Sequence, residues 1–82
     1  MDIEVKVLDL VRSNIEKKGA VTLQSDLRKD LEVDSFGTIM IVNAVEDAFG
    51  ITVEETDIKS MEKVSDIVEL LSKKYHVSGK QP

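Results

Sequence analysis

Apolar residues recur at spacings of three and four in three segments of this chain, and no other feature constrains its fold as strongly. Such spacing places the apolar side chains on one face of an α-helix. We expect long helices over residues 2–17, 35–49 and 62–74, and one or two helical turns over residues 54–60. The apolar stripes of the long helices are Ile3, Val7, Leu8, Val11 and Ile15; Ile39, Val42, Val45 and Phe49; and Val64, Ile67, Val68, Leu71 and Tyr75. The sequence therefore predicts an all-α fold, a small bundle of three main helices and one short helix.

The connections between these helices carry recognisable end signals. Gly19 and Gly50 follow the first and second apolar stripes and are predicted helix stops. Asp34 is the predicted N-cap of the second helix, since its carboxylate can accept hydrogen bonds from free backbone N–H groups. The long first loop, residues 19–34, carries apolar anchors that we expect to strap it across the bundle: Val21, Leu23, Leu27 and Leu31.

The composition excludes several kinds of site. The 82 residues are enough for one small domain, and they include no Cys and a single His, His76. A disulfide, a thiol nucleophile and a thiolate metal site are therefore impossible, and a His-based triad or multi-His metal site is hard to build. No carboxylate pair with a supporting His is apparent, and so small a domain has little room for a sheltered cleft. We expect neither a metal site nor enzymatic activity.

The start of the chain does not resemble a targeting segment. Asp2 and Glu4 stand where a secretory signal would carry a basic region and an apolar run. No apolar run approaches the roughly 20 residues of a membrane span. We therefore expect a soluble, cytoplasmic monomer.

Charge is distributed unevenly along the chain. The net charge is −5, and residues 30–58 contain no Lys or Arg. That stretch holds eight acidic residues: Asp30, Glu32, Asp34, Glu46, Asp47, Glu54, Glu55 and Asp57. A one-signed field of this kind attracts basic partners, although a solvated surface that favours solubility would look the same. Nucleic-acid binding is not expected, because it needs a basic face.

Residues 30–42 are the part of the sequence that indicates function most clearly. Within them, Asp34-Ser35-Phe36 begins the predicted second helix. An Asp-Ser pair alone is a common helix cap. Its context here is a long loop before it, an amphipathic helix after it, acid-flanked helical turns and a closing helix. In this layout the chain resembles acyl carrier proteins, whose attachment helix begins with Asp-Ser-Leu, and the resemblance covers residues 3–75.

The resemblance implies a function and a set of residues. A transferase would move 4'-phosphopantetheine from coenzyme A to Ser35, and the arm would hold acyl intermediates as thioesters for fatty-acid or specialised lipid and secondary-metabolite enzymes with basic patches. Partner contacts would involve Asp34, Phe36, Met40, Glu46, Asp47 and Asp57. The acyl pocket would be lined by Val42, Val45, Phe49, Ile58, Met61, Val64 and Val68. Residues 1–76 would form the carrier domain, and residues 77–82 a disordered tail.

Four positions depart from the usual acyl carrier pattern. Glu32 stands where a Gly is usual, Gly37 and Met40 replace acids, and Asn43 replaces an apolar residue. The second helix, which carries most of the partner contacts that the resemblance implies, is thus less acidic at its start, and this favours a specialised pathway. Gly37-Thr38 also resembles D-alanyl carrier proteins, so aminoacyl cargo is the second candidate. A third is an unmodified structural adaptor in which Ser35 only helps to cap the helix.

Overall fold

The computed structural model of the protein describes residues 3–15 and 19–77, which form four helices. Helix α1 spans Ile3–Ser13, α2 spans Ser35–Phe49, α3 spans Glu55–Ser60 and α4 spans Val64–Glu69, which continues as a π-helical segment, Leu70–Lys74. The predicted all-α bundle is confirmed. No helix within the described ranges is long and apolar enough to cross a membrane.

Helix α1 is shorter than the predicted residues 2–17. It ends at Ser13, where the Asn14 side-chain amide donates to the Leu10 carbonyl at 2.8 Å and the Asn14 backbone N–H donates to Val11 at 3.1 Å. These bonds satisfy carbonyls that a further helical turn would otherwise have used. The predicted stop at Gly19 is therefore wrong. Positions 2, 16 and 17 lie outside the described residues.

The long loop between α1 and α2 is strapped across the bundle, as predicted. Its anchors Val21, Leu27 and Leu31 are buried, and Leu23 packs against the same core. Three backbone bonds fix the loop to the start of α4: Leu27 N–H to Glu62 O at 2.8 Å, Val64 N–H to Ser25 O at 3.1 Å and Ser65 N–H to Leu23 O at 2.9 Å. The first turn of α2 is therefore held against the rest of the molecule by its preceding loop.

Helix α2 has well-defined ends. Asp34 has extended backbone angles, and its carboxylate accepts from the Gly37 N–H at 2.7 Å, which confirms the predicted N-cap. Gly50 has a φ of 67°, in the left-handed region that glycine adopts at low cost, and its N–H donates to the Glu46 carbonyl. The predicted stop at Gly50 is confirmed.

Removing the N-cap of α2 is expected to lower the stability of the bundle. Replacing Asp34 by alanine leaves the Gly37 N–H without its acceptor, so we expect the free energy of unfolding to fall by about 1 kcal/mol. Asp34→Asn keeps an oxygen acceptor and should remain within a few tenths of the wild-type value, on the order of 0.3 kcal/mol. Urea unfolding followed by circular dichroism measures both. An equal loss in the two variants would contradict a capping role.

The last helix begins later than predicted and changes its pitch. Asp66 accepts at 2.9 Å from the backbone N–H groups of both Glu62 and Lys63, so regular helix begins at Val64. At its far end the Tyr75 N–H donates to the Leu70 carbonyl, the spacing of a π-helix. Val77, assigned to the predicted tail, donates to Leu71 O at 2.8 Å and packs against the core. Residues 78–82 lie outside the described residues.

The core lies where α1 packs against both α2 and α4. Its fully buried side chains are Ile41, Ile67, Leu71, Val7, Val11, Val45 and Val64. Most of them are β-branched aliphatics, and none is aromatic. The bundle therefore rests on aliphatic packing, as the absence of Cys requires.

Candidate functional site

Ser35 is the first residue of α2, and its side chain is exposed. The Asp34 carboxylate beside it is turned onto the Gly37 N–H, and the Thr38 N–H and hydroxyl both donate to the Asp34 carbonyl, at 2.9 and 3.0 Å. These contacts fix the backbone on both sides of Ser35 without engaging its hydroxyl. The first N–H groups of a helix and its positive dipole end accommodate a phosphate. The residues present here fit a phosphate ester on Ser35.

Gly37 allows the loop to approach the first turn of α2 closely. A Cβ at this position would lie 3.0 Å from Val33 Cγ1 and 3.3 Å from the Asp34 carboxylate. Any larger residue would have to displace buried Val33 or the capping side chain. The close packing against Val33 and Asp34 therefore explains why this chain has Gly at a position where an acid is usual.

Glu32 is the second departure that the structure explains. Its φ is 54°, in the left-handed region that favours glycine. The backbone conformation accounts for the usual Gly at this position. In this chain a Glu adopts it at some conformational cost.

Phe36 and Met40 lie on the surface rather than in the core. Their side chains are 71% and 41% exposed, so an ordinary core role is excluded for both. Ile39 is 49% exposed, and its predicted place in the core stripe is wrong. Ile41 takes that place, because it is 1% exposed and adjoins Val45 on the inner face. Residues 39–42 are all apolar, so periodicity alone left open which of them face inward.

Ile39 is the residue near the site that sequence reasoning missed. It stands four positions after Ser35, so the two share one face of α2. An exposed apolar side chain one turn from the serine is available for contact with another molecule. Its signal in the sequence was the run of four consecutive apolar residues, 39–42, because one face of a helix cannot bury all four.

The predicted acidic contacts divide into free and engaged groups. Asp47 is exposed. The half-buried Glu46 carboxylate accepts from the Val53 N–H at 2.8 Å and so ties α2 to the loop that follows it. The Asp57 side chain is only 14% exposed and accepts from Lys74 Nζ at 2.8 Å and from the Tyr75 hydroxyl at 2.9 Å. A basic partner that reached Asp57 would have to displace Lys74.

The predicted pocket residues surround the core but are packed together. Val45 and Val64 belong to the buried cluster, and Phe49, Met61 and Val68 pack against it. Val42 is buried on α2 and Ile58 is half-buried on α3, both outside that cluster. The structure thus brings five of the seven predicted side chains together. A chain inserted among them would require side chains to move apart, and the role of these seven residues as an acyl pocket stays a prediction.

The surface of the described residues has two open cavities. A groove of about 770 Å³ separates the end of α1 from the start of α2, and Phe36, Gly37 and Met40 form one of its walls. Ser35 does not line this groove. A smaller cavity of about 290 Å³ lies between α3 and the last helix, with Met61 and Leu70 as its apolar floor.

The ion pair between Asp57 and Lys74 makes the stability of the fold depend on pH in the acidic range. The hydrogen bond from Lys74 is the main reason that the pKa of Asp57 lies below its ordinary value of 3.8. At neutral pH the wild type should therefore melt at a higher temperature than Asp57→Asn. This advantage is present above pH 3.8 and is lost as the pH falls through the lowered folded pKa. Thermal melts at a series of acidic pH values measure it.

The control for this titration is Asp47→Asn, which removes the same charge from an exposed position on α2. The difference in melting temperature between wild type and this control should change little over the same range. A wild-type advantage over Asp57→Asn that stayed constant into strong acid would contradict the assignment.

Comparison with known proteins agrees with this geometry. The family model described as a phosphopantetheine attachment site matches residues 5–71. Acyl carrier proteins of Rickettsia canadensis (strain McKiel) and Rickettsia rickettsii (strain Iowa) are each 29% identical over 73 residues, covering 88% of this chain and 85% of theirs. A Mycobacterium tuberculosis protein provisionally assigned as an acyl carrier protein has the same fold, with a TM-score of 0.78, 20% identity and coverage of 84% of this chain and 93% of its own.

These matches identify both the family of this chain and the class of its cofactor. Phosphopantetheine, held covalently, is the cofactor of this chain. Because the family model extends from α1 into the π-helical segment after α4, this chain belongs to the acyl carrier protein family of phosphopantetheine-binding proteins.

Proposed function

We propose that Ser35 carries the phosphopantetheine arm and that the chain delivers acyl groups, held as thioesters on that arm, to biosynthetic enzymes. The observation that carries the proposal is the exposed Ser35 as first residue of α2, inside the segment that the phosphopantetheine family model matches. The chain itself acts as a substrate carrier, not a catalyst, and works in the cytoplasm.

Attachment is a phosphoryl transfer from coenzyme A. The Ser35 oxygen bonds to the phosphorus that bears pantetheine, the pyrophosphate P–O bond breaks, and adenosine 3',5'-bisphosphate leaves. The hydroxyl proton passes to a base that the transferase supplies. The role of this chain is to present the hydroxyl, which the Asp34 cap achieves by fixing the backbone on either side.

Partner recognition would combine apolar and acidic contacts. Phe36, Ile39 and Met40 offer exposed apolar surface around Ser35, and Asp47 offers a free carboxylate further along α2. Partners with a basic patch and an apolar anchor suit such a surface. The apolar start of α2 favours dedicated enzymes of a specialised pathway over general service to fatty acid synthesis.

Aminoacyl cargo of the D-alanyl type is the second candidate. It is supported by Gly37-Thr38 directly after Phe36, and by the close packing of Gly37 on Val33 that this pair permits. Mass spectrometry of the protein isolated from its own cells distinguishes the two, because it reads the group bound to the arm directly.

The proposal is tested by incubating the purified protein with coenzyme A and a broad-specificity phosphopantetheinyl transferase. Intact mass should rise by one phosphopantetheine per chain. Failure to gain mass with a transferase that modifies another carrier in a parallel reaction would overturn the proposal. Proteolysis and fragment masses then locate the arm.

A further inference from the structure

Helix α3 contributes no fully buried residue to the core. It spans six residues, Glu55–Ser60, none of which is buried. A helix this short is unstable in isolation, since its nucleation costs more than its few hydrogen bonds return. Contacts outside the helix must therefore keep it in place.

The contacts that meet α3 come from the end of the last helix. Lys74 Nζ lies 2.8 Å from a Glu54 carboxylate oxygen and 2.8 Å from an Asp57 carboxylate oxygen. The Tyr75 hydroxyl donates to the same Asp57 oxygen at 2.9 Å and accepts from the Glu54 backbone N–H at 3.1 Å. Four polar contacts thus join two consecutive residues, Lys74 and Tyr75, to the N-terminal turn of α3.

The π-helical segment accounts for this arrangement. Between Leu70 and Lys74 the helix widens, and the Tyr75 N–H bonds to the Leu70 carbonyl five residues earlier. A π-turn changes the angle at which the following side chains leave the helix, and such turns occur often at functional positions. Here the last side chain of the π-helical segment, Lys74, and the one after it, Tyr75, both reach α3.

We propose that Lys74 and Tyr75 form a latch that holds α3 closed over the Met61 side of the bundle, and that α3 opens as a unit when the latch breaks. The cavity of about 290 Å³ that Met61 and Leu70 line adjoins the latch, since Asp57 and Lys74 line it as well. Opening α3 widens this surface cavity toward the half-buried Ile58. If the chain carries acyl groups as proposed above, the latch controls the entry of the cargo.

The contacts within the latch keep Lys74 and Tyr75 in the protonated forms that these contacts require. The bonds from Asp57 and then Glu54 raise the pKa of Lys74, so its ammonium stays charged. Burial raises the pKa of Tyr75 above 10.0, so its hydroxyl keeps the proton that it donates. Residues 30–58 contain no Lys or Arg. Lys74, from the end of the last helix, therefore brings a positive charge to the acidic residues of that stretch.

The latch is tested on the unmodified protein by hydrogen exchange of backbone amides measured by NMR. The Asp57 and Ile58 N–H groups, which donate to the Glu54 carbonyl, report on α3. In Lys74→Gln we expect them to exchange up to about tenfold faster, and in Tyr75→Phe several-fold faster, because each loses exposed or half-exposed polar contacts of modest strength. Amides in the middle of α2 should keep the wild-type rate.

The matched control is Lys73→Gln, which removes the same charge one residue earlier and lines the same cavity, but from a side chain outside the latch. It should leave α3 exchange within about twofold of wild type. Equal acceleration in the Lys73 and Lys74 variants would overturn the latch, as would acceleration of α2 and α3 together, which signals global destabilisation.

Control of cargo entry by the latch is tested separately, on protein that carries the phosphopantetheine arm. With methionine methyl groups labelled, loading an acyl group should shift the Met61 resonance more in Lys74→Gln than in Lys73→Gln, because Met61 lines the cavity that the latch adjoins. Equal Met61 shifts in the two variants would overturn control of entry. A protein that accepts no arm refutes the proposed function instead, and leaves the exchange result on the latch standing.

Discussion

Replacing Ser35 by alanine is expected to abolish phosphopantetheine attachment completely. The hydroxyl oxygen is the atom that bonds to phosphorus, and alanine has no atom in its place. The loss should be absolute within detection, in contrast with the partial effects expected at contact residues such as Phe36. Intact mass after incubation with coenzyme A and transferase measures it.

Two controls separate chemistry from folding in that experiment. Ser72→Ala removes a hydroxyl that donates to the Val68 carbonyl on the last helix, and this variant should gain the full arm. Ser35→Ala keeps the Asp34 cap, so its free energy of unfolding should stay within about 0.5 kcal/mol of wild type. A Ser35→Ala protein that still gained one arm would place the attachment at another residue and sink the proposal.

The largest effect on stability is expected at Ile41. Its side chain is 1% exposed on the inner face of α2, so Ile41→Ala removes buried apolar surface and leaves a cavity. Such substitutions cost about 2–5 kcal/mol. A bundle of this size has a total stability on the order of 4–12 kcal/mol, so the variant should lose a large fraction of it.

Ile39→Ala is the matched control, since it makes the same change two residues away on the same helix. Ile39 is 49% exposed, so we expect a loss of less than about 1 kcal/mol. Urea unfolding measures both variants. Similar losses at the two positions would mean that α2 is rotated about its axis relative to the orientation described here. If Ile39 also contacts the arm or its enzymes, Ile39→Ala should slow modification without loss of fold.

Local signals predicted much of the framework. The Asp34 cap and the Gly50 stop are confirmed, because each depends on a residue and its immediate backbone neighbours. The anchors of the long loop were predicted equally well, since isolated apolar residues in a polar connection have few other places to go. Ser35 at the start of α2 follows from the same cap.

Local signals failed where several residues satisfied the same pattern. Four consecutive apolar residues, 39–42, allow more than one helix rotation, and only the folded structure shows that Ile41 and Val42 are the buried pair. The acids of the middle stretch look alike in the sequence. Only tertiary contacts distinguish Asp47, which is exposed, from Glu46 and Asp57, which bind the Val53 amide and Lys74.

The sequence by itself therefore determined the number and approximate positions of the helices, the cap and the serine it presents, because apolar spacing and the caps next to each helix indicate those features. Tertiary structure alone decided the face that α2 buries, the left-handed backbone at Glu32 and the pairing of Lys74 with α3. These features depend on groups far apart in the chain, whose interaction exists only once burial of the common apolar core has brought them together.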